Sequence, residues 1–289
     1  MWPAFPAIAE HFQLEADNQR QLMITIYMLG FAFGQLLFGP ISDRYGRRPI
    51  LFAGLLCYLL ATAVVLLAPN YFWILSARAL QGFAAAAPRI LAVAIVRDCS
   101  VGRAMSRIMS FIMMVFVIVP ILAPLGGAGL LHLGSWHGIF WFMELNALVA
   151  LVWVAWRLPE TRRAEYRSSL HPRALWQTLG LVMRERQTVG YGLGIGFVFG
   201  CVLTYVASSQ QIFGETYGLG EGFALAFGGV GLIMASASIT NIRLVRRIGM
   251  RRMSHTGLVG FALVGLIYLL AGFPAHPPFW VFYLFLVAS

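Results

Sequence analysis

The chain reads as long apolar runs separated by short polar connections. The runs are Leu22–Phe38, Ile50–Ala68, Phe72–Val96, Ile108–Leu131, Gly138–Trp156, Val189–Phe213, Phe223–Ile242 and Met253–Phe273. A helix needs roughly 20 apolar residues to cross the hydrocarbon of a bilayer, and these runs are of that order. Eight complete spans are expected, and a further run from Phe279 stops at Ser289, short of a crossing. Strands of a membrane barrel would alternate apolar and polar positions in short segments, which these runs do not. The expected fold is all-α, a polytopic membrane protein.

The connections carry the direction of insertion. Gly39 to Pro49 reads as a tight charged turn holding Arg44, Arg47 and Arg48, with Asp43 as an acid among bases. A turn this short makes the two flanking helices antiparallel neighbours. Gly39 and Gly46 permit backbone angles that other residues resist, and Pro49 suits the first turn of the second helix. Asp43 reads either as a local salt-bridge partner or as a switch contact between moving helices. Arg97, Arg103 and Arg107 lie two connections later, seven more arginines lie between Arg157 and Arg186, and Arg243, Arg246, Arg247, Arg251 and Arg252 lie in the last such turn. The intervening connections hold no arginine. By the positive-inside rule the arginine-bearing side is cytoplasmic. The first run then enters from outside, so either the N-terminus is translocated bare or a preceding span is missing.

Composition sharpens this picture. The chain is 60% hydrophobic and 11% charged, with mean hydropathy +0.77, whereas a soluble domain has about 25% charged residues. The net charge of +10 comes from arginines grouped at one side of the membrane, so it points to topology and not to nucleic acid. Cys57, Cys99 and Cys201 are scattered, with neither disulfide nor metal spacing. No catalytic triad, HExxH or Walker A loop is present, and neither an enzyme nor a cofactor is expected.

The long polar stretch 157–187 divides the chain into an N-terminal helical bundle, 1–156, and a C-terminal bundle, 188–289. Arg246 to Arg252, with Gly249, echoes Arg44 to Arg48, with Gly46, in the same orientation. That suggests a parallel repeat of two bundles.

Polar residues inside the runs are the candidates for function, since a charged side chain at mid-membrane costs about 2.5–3.5 kcal/mol on insertion scales. Arg78 and Arg89 are eleven residues apart, close to three helical turns, and share a face with Gln81, Gly82 and Ala85. The stripe suits a water-filled cavity. Snorkelling to an interface is the competing reading, and it suits Arg78 better than Arg89. Glu144 is an acid inside an apolar run. It is either a proton-carrying site, because an apolar setting penalises the charged carboxylate, or an interfacial or ion-paired residue. Pro120 and Pro124, followed by Gly126 and Gly127, mark a place where a helix kinks or a neighbour slides. Gly192, Gly196 and Gly200 recur every four residues as a packing face.

The stretch Gly39-x-x-x-Asp43-Arg44-x-Gly46-Arg47-Arg48 resembles the loop signature of the major facilitator superfamily. Leu75, Arg78, Gln81 and Gly82 are similar to its second signature. Ala123-Pro124-Leu125-Gly126-Gly127 resembles the antiporter signature of its drug-exporting branch, with alanine where glycine is usual. Tyr27 to Gln35, Arg97-Asp98 and Ser135 to Trp141 resemble the Bcr/CflA drug-resistance proteins. The resemblance implies a major facilitator fold of twelve spans and a proton-driven antiporter of the bacterial inner membrane. It would be monomeric, would export drugs or other small organic molecules by alternating access, and would draw on the proton gradient without a cofactor. It also implies that the first span and most of the last three are missing here. Asp43 would secure the cytoplasmic contact between bundles, Arg78 would assist proton coupling in the cavity, and Pro124 and Gly127 would seal the exporter against leak. The alternatives are a metabolite transporter of the same fold and a non-transporting remnant.

Overall fold

The structure, a computed structural model, describes residues 5–13, 17–102, 104–105, 107–109, 111–112, 115, 119, 126–127, 129–130, 135–162, 165, 172–219, 222–272 and 277–288. Among these, every regular element is a helix. They are α1 (Phe5–His11), α2 (Asp17–Tyr45), α3 (Arg47–Leu66), α4 (Tyr71–Cys99), α5 (His137–Arg157), α6 (Pro172–Arg184), α7 (Arg186–Gln210, extended by a π-helical turn Gln211–Thr216), α8 (Phe223–Ile248), α9 (Met250–Leu270) and α10 (Phe279–Ala288). Five stretches are long and apolar enough to cross a membrane: Gln21–Tyr45, Arg47–Leu66, Tyr71–Cys99, His137–Arg157 and Arg252–Leu270. The chain is a helical membrane protein, and five spans stand among the described residues where eight are expected. Val189–Phe213 and Phe223–Ile242 fold largely within α7 and α8, while much of Ile108–Leu131, with Pro120 and Pro124, lies outside the described residues.

The connection at Gly39 to Pro49 is tighter than the sequence suggests. Gly39 and Pro40 belong to α2, which runs on to Tyr45. The whole reversal is made by Gly46, at φ 105° and ψ 160°. That φ is disfavoured for any residue with a Cβ, so one glycine does what an eleven-residue loop was expected to do. The same device recurs at Gly249, φ 88°, between α8 and α9.

The chain forms two compact units, one holding α1 to α6 and one holding α7 to α10. In the first, α4 is the central helix, and its small residues decide what it packs against. A Cβ placed on Gly82 would collide with the Tyr27 carbonyl on α2, and one on Gly30 or Gly34 would collide with the α4 backbone at Ala79 or Phe83. Gly54 on α3 sits as tightly against Ala87. Helices in lipid gain little from burying apolar surface against each other, so close backbone approach through small residues holds them together. Asn70 caps α4, its side chain accepting from the Trp73 N–H at 3.2 Å, which satisfies one of the orphan donors at a helix start.

The packing is layered. Towards one end, Ile8, Met23, Val65, Ile74, Ala77, Trp136, Ile139 and Phe140 form an apolar cluster. Towards the other, Phe38, Leu51, Leu55, Ala86, Ala87 and Leu91 form a second. Large apolar side chains such as Phe33, Leu36, Leu60, Trp141 and Trp153 face outward, as a lipid-contacting surface requires.

In the second unit, α7 approaches α9 through Tyr191 and His255, ring centroids 6.4 Å apart. The α10 hydroxyl of Tyr283 donates to the Ala226 carbonyl on α8 at 3.3 Å. Among the described residues, Gly192, Gly196 and Gly200 meet no packing partner. No described atom lies within 4 Å of where a Cβ would stand on any of them, and Gly194, against Leu258 at 3.6 Å, is the one on that stretch in contact.

Candidate functional site

Two polar constellations are built into the first unit. The first lies where α2, α3, α4 and α5 bring their arginine-bearing ends together. Ending α2 at Tyr45 and starting α3 at Arg47 puts Asp43 and Arg47 one helical turn apart in sequence. Arg47, its side chain 7% exposed, is the hub. Its Nη2 pairs with Asp43 Oδ1 at 2.7 Å, and its Nε with Asp98 Oδ2 at 2.9 Å. Its Nη1 donates to Ser42 Oγ at 2.6 Å. Arg162, beyond α5, stands 3.7 Å from Asp43 and 3.9 Å from Asp98. Arg47 thus ties together α2, α3 and the last turn of α4.

Glu160 closes the cluster by another route. The first N–H groups of a helix have no partner within it, and the helix dipole favours an anion there. The Glu160 carboxylate accepts from the Arg47 N–H at 2.9 Å and the Arg48 N–H at 3.1 Å. It also accepts from the Arg162 N–H at 2.8 Å. Arg48 donates from Nη2 to the Ala155 carbonyl at 2.7 Å, so α3 is fastened to the end of α5 twice. Arg44 is exposed, its guanidinium 5.7 Å from the Tyr45 ring.

The second constellation is a polar layer between the two apolar clusters. Arg78 is 4% exposed. Its guanidinium lies over the Tyr27 ring, 4.2 Å from the centroid, and Nη1 donates to Gln81 Oε1. The Gln81 amide donates to Thr62 Oγ1 at 2.7 Å, and Thr62 donates to the Tyr58 carbonyl at 2.8 Å. Glu144 on α5 approaches the same threonine hydroxyl, and its Oε2 is buried without a hydrogen-bond partner. Arg78 Nε is likewise buried without one. Four helices therefore supply one connected polar layer, and Gly82 is what lets α2 close onto it.

A sequence profile described as the Major Facilitator Superfamily matches residues 1–289. The chain belongs to the major facilitator superfamily. Among its relatives is an uncharacterized MFS-type transporter, YdgK, of Bacillus subtilis, 34% identical over 239 residues, which are 82% of this chain and 59% of that protein. Another is a bicyclomycin resistance protein homolog of Haemophilus influenzae, 32% identical over 258 residues, 89% of this chain and 64% of that protein. The chain thus spans about three fifths of the length of these relatives. Among solved structures, the human organic anion transporter MFSD10 superposes with a TM-score of 0.64 at 20% identity, over 98% of this chain and 71% of that one. At that identity the likeness shows the fold. The superfamily is one of membrane transporters and not of enzymes.

Within this major facilitator chain, the expected switch residues Asp43, Arg47 and Arg48 meet in one cluster, with Gly46 as its turn. Arg78, Gln81, Gly82 and Glu144 fall in or beside the polar layer. Arg89 is half-buried further along α4. Gly126 is exposed and Gly127 buried, while Pro120 and Pro124 lie outside the described residues. Two residues had no role in the sequence reading: Asp98, quoted there only within Arg97-Asp98, and Glu160. Their signal was an acid a few residues past the end of an apolar run, with an arginine within two positions.

Gly46 offers a direct check on the cluster. A Cβ there would collide with the Glu160 carboxylate as well as meet the unfavourable φ. Gly46→Ala is expected to destabilise the protein by about 2 kcal/mol or more, read as a lowered melting temperature in detergent. Gly39→Ala, with open space around it, is expected to be near neutral.

Proposed function

We propose that the protein is a secondary active transporter that exports drugs or other small organic molecules by alternating access, driven by the proton gradient and without a cofactor. The observation that carries this is Arg78, a cation held between apolar layers with one donor unspent. Such a group is costly in a membrane and is kept where a substrate or proton pathway needs it. The resistance named in the Haemophilus relative supports drugs as the substrate class. Arg78, Gln81 and Gly82 form the cavity wall, with Arg89 further along it, and Glu144 is the proton-exchanging acid. Pro120, Pro124, Gly126 and Gly127 shape the neighbouring antiporter-motif helix. The Gly39 to Arg48 turn, through Asp43, Arg44, Gly46, Arg47 and Arg48, is the conformational switch. The arginine-rich ends and the 157–187 linker face the cytoplasm across the bacterial inner membrane, and the protein acts as a monomer.

Asp43→Asn tests the switch. The substitution keeps shape and removes the charge, leaving Asp98 as the carboxylate paired with the Arg47 guanidinium among the described residues. Efflux of a lipophilic dye such as ethidium from cells producing the whole protein is expected to slow by about three- to tenfold, and a protonophore is expected to stop it. Unchanged efflux in the variant would remove the switch role, and efflux that survives the protonophore would remove proton coupling.

A further inference from the structure

We infer that Thr62 is the positioning residue that links Glu144 to Arg78. Its hydroxyl proton turns towards the Glu144 carboxylate when that acid is charged, and back to the Tyr58 carbonyl when the acid is protonated. The inference rests on the reading of Glu144 as the proton-exchanging acid for its use in transport, but not for the hydrogen bonds themselves. Thr62 is fully buried. Its Oγ1 donates to the Tyr58 carbonyl at 2.8 Å and accepts from Gln81 Nε2 at 2.7 Å, and the Glu144 carboxyl approaches it from α5. A hydroxyl has one proton to give and two lone pairs to receive on. While it keeps the Tyr58 bond, Thr62 therefore offers Glu144 a lone pair and no proton.

Chemistry fixes which way each bond points. A guanidinium donates and never accepts, so Gln81 turns its oxygen to Arg78 and its amide hydrogens to Thr62. A protonated Glu144 donates into the free lone pair of Thr62. A charged Glu144 only accepts, and a lone pair repels it. One rotation about the Cβ–Oγ1 bond then brings the Thr62 proton to the carboxylate. The Tyr58 carbonyl tolerates that loss, because it lies inside α3 and the helix ladder supplies it with the Thr62 N–H. In the charged state every donor points one way, from the Arg78 guanidinium through Gln81 and Thr62 to Glu144. Aligned hydrogen bonds polarise one another, so cation and acid are coupled without touching. Protonation of Glu144 reverses the last bond and ends the alignment. The other titratable groups of the layer are Tyr27 on α2 and Tyr58 on α3, and Tyr58 lies within electrostatic reach of Tyr27, Arg78 and Glu144. The Tyr58 hydroxyl is thus the rival donor. Thr62 is favoured because, among the described residues, its hydroxyl is the one in hydrogen-bonding reach of the carboxyl.

The test reads the Glu144 carboxyl by infrared difference spectroscopy of the whole protein in nanodiscs, the band being assigned by its loss in Glu144→Gln. Thr62→Val keeps the shape and removes the hydroxyl, so the charged form loses its donor. The carboxyl band should then persist to a pH about one unit higher than in the parent protein. Thr62→Ser should restore the parent titration, and Tyr58→Phe should leave it in place. Thr62→Ala serves the same purpose should valine prevent folding. A midpoint unmoved by loss of the hydroxyl, or moved by Tyr58→Phe in its stead, overturns the assignment to Thr62. Gln81→Leu keeps the hydroxyl and cuts the chain above it, so it should move the midpoint the same way by less. An unmoved midpoint in that variant overturns the link to Arg78. Ethidium efflux by the same variants separates this inference from the transport reading. If Glu144→Gln exports like the parent while Thr62→Val still shifts the band, the bond from Thr62 stands and Glu144 is not the transport acid.

Discussion

Arg47→Met is expected to lower the melting temperature of the detergent-purified protein by about 5–10 °C, corresponding to roughly 3 kcal/mol. Removing the guanidinium leaves Asp43 and Asp98 facing one another with Arg162 as their nearest cation, at 3.7 and 3.9 Å. Breaking one member of a buried ion pair costs about 3–5 kcal/mol. The lower end applies because Asp43 keeps 35% of its side chain in solvent and Arg162 can move in. The sign of a second experiment separates charge from packing. Adding Asp98→Leu to Arg47→Met removes one of the stranded carboxylates and should recover part of the loss, since an apolar replacement of a buried pair is often neutral or better. Glu160→Gln keeps an acceptor for the Arg47 and Arg48 N–H groups and loses only charge, so it should cost about 1 kcal/mol. An unchanged melting temperature in Arg47→Met would mean that the cluster is open in solution.

The cluster also shows what a sequence discloses and what it withholds. Apolar runs of bilayer length are visible one residue at a time, so α2 to α5 could be placed from pattern alone. Gly46 was visible too, because a glycine between arginines at a helix reversal has a backbone reason. The extent of the turn was not. Gly39-Pro40 looks like a break, yet the apolar surface on both sides carries α2 through it. Asp43 with Arg47 is a spacing that any helix would satisfy. Asp98 and Glu160 meet Arg47 only because α3, α4 and α5 end at one level, which follows from helix lengths and packing and not from any local motif.

The interior follows the same division. The shared stripe of Arg78, Gln81 and Gly82 was legible, because a helix repeats every 3.6 residues. Its partners were not. Tyr27 opens a stretch that resembles the Bcr/CflA proteins, but neither it nor Thr62 carries a local sign of meeting Arg78 or Gln81. Close approach at Gly82, Gly30 and Gly34 brings α2 onto α4, and only then does a tyrosine ring lie beneath the guanidinium. The glycines expected to pack on α7 meet no partner among the described residues, for the complementary reason. Periodicity states which residues share a face and leaves open whether anything covers it.

Arg78→Lys is expected to cut efflux by tenfold or more, about 1.4 kcal/mol in the barrier, while the melting temperature changes little. Lysine keeps the charge, so a purely electrostatic role would survive. What it loses is shape. The guanidinium uses its flat face over Tyr27 and its edge towards Gln81, and an ammonium cannot do both from one position. The remaining edge, Nε, faces no acceptor in the described structure. An anionic or hydrogen-bonding group of a substrate, or a carboxylate that moves during the cycle, would complete it. Arg78→Met sharpens the test through its opposite effects on stability and transport. Deleting a buried cation that lacks a carboxylate partner among the described residues relieves a desolvation cost, against the loss of a cation–π contact worth about 2 kcal/mol when desolvated. The melting temperature should therefore hold or rise while efflux disappears. If both fall together, Arg78 is a strut that keeps α2 on α4, and the transport role passes to another residue of the layer. If efflux survives in Arg78→Met, the buried charge is dispensable, and Glu144 becomes the group to test next.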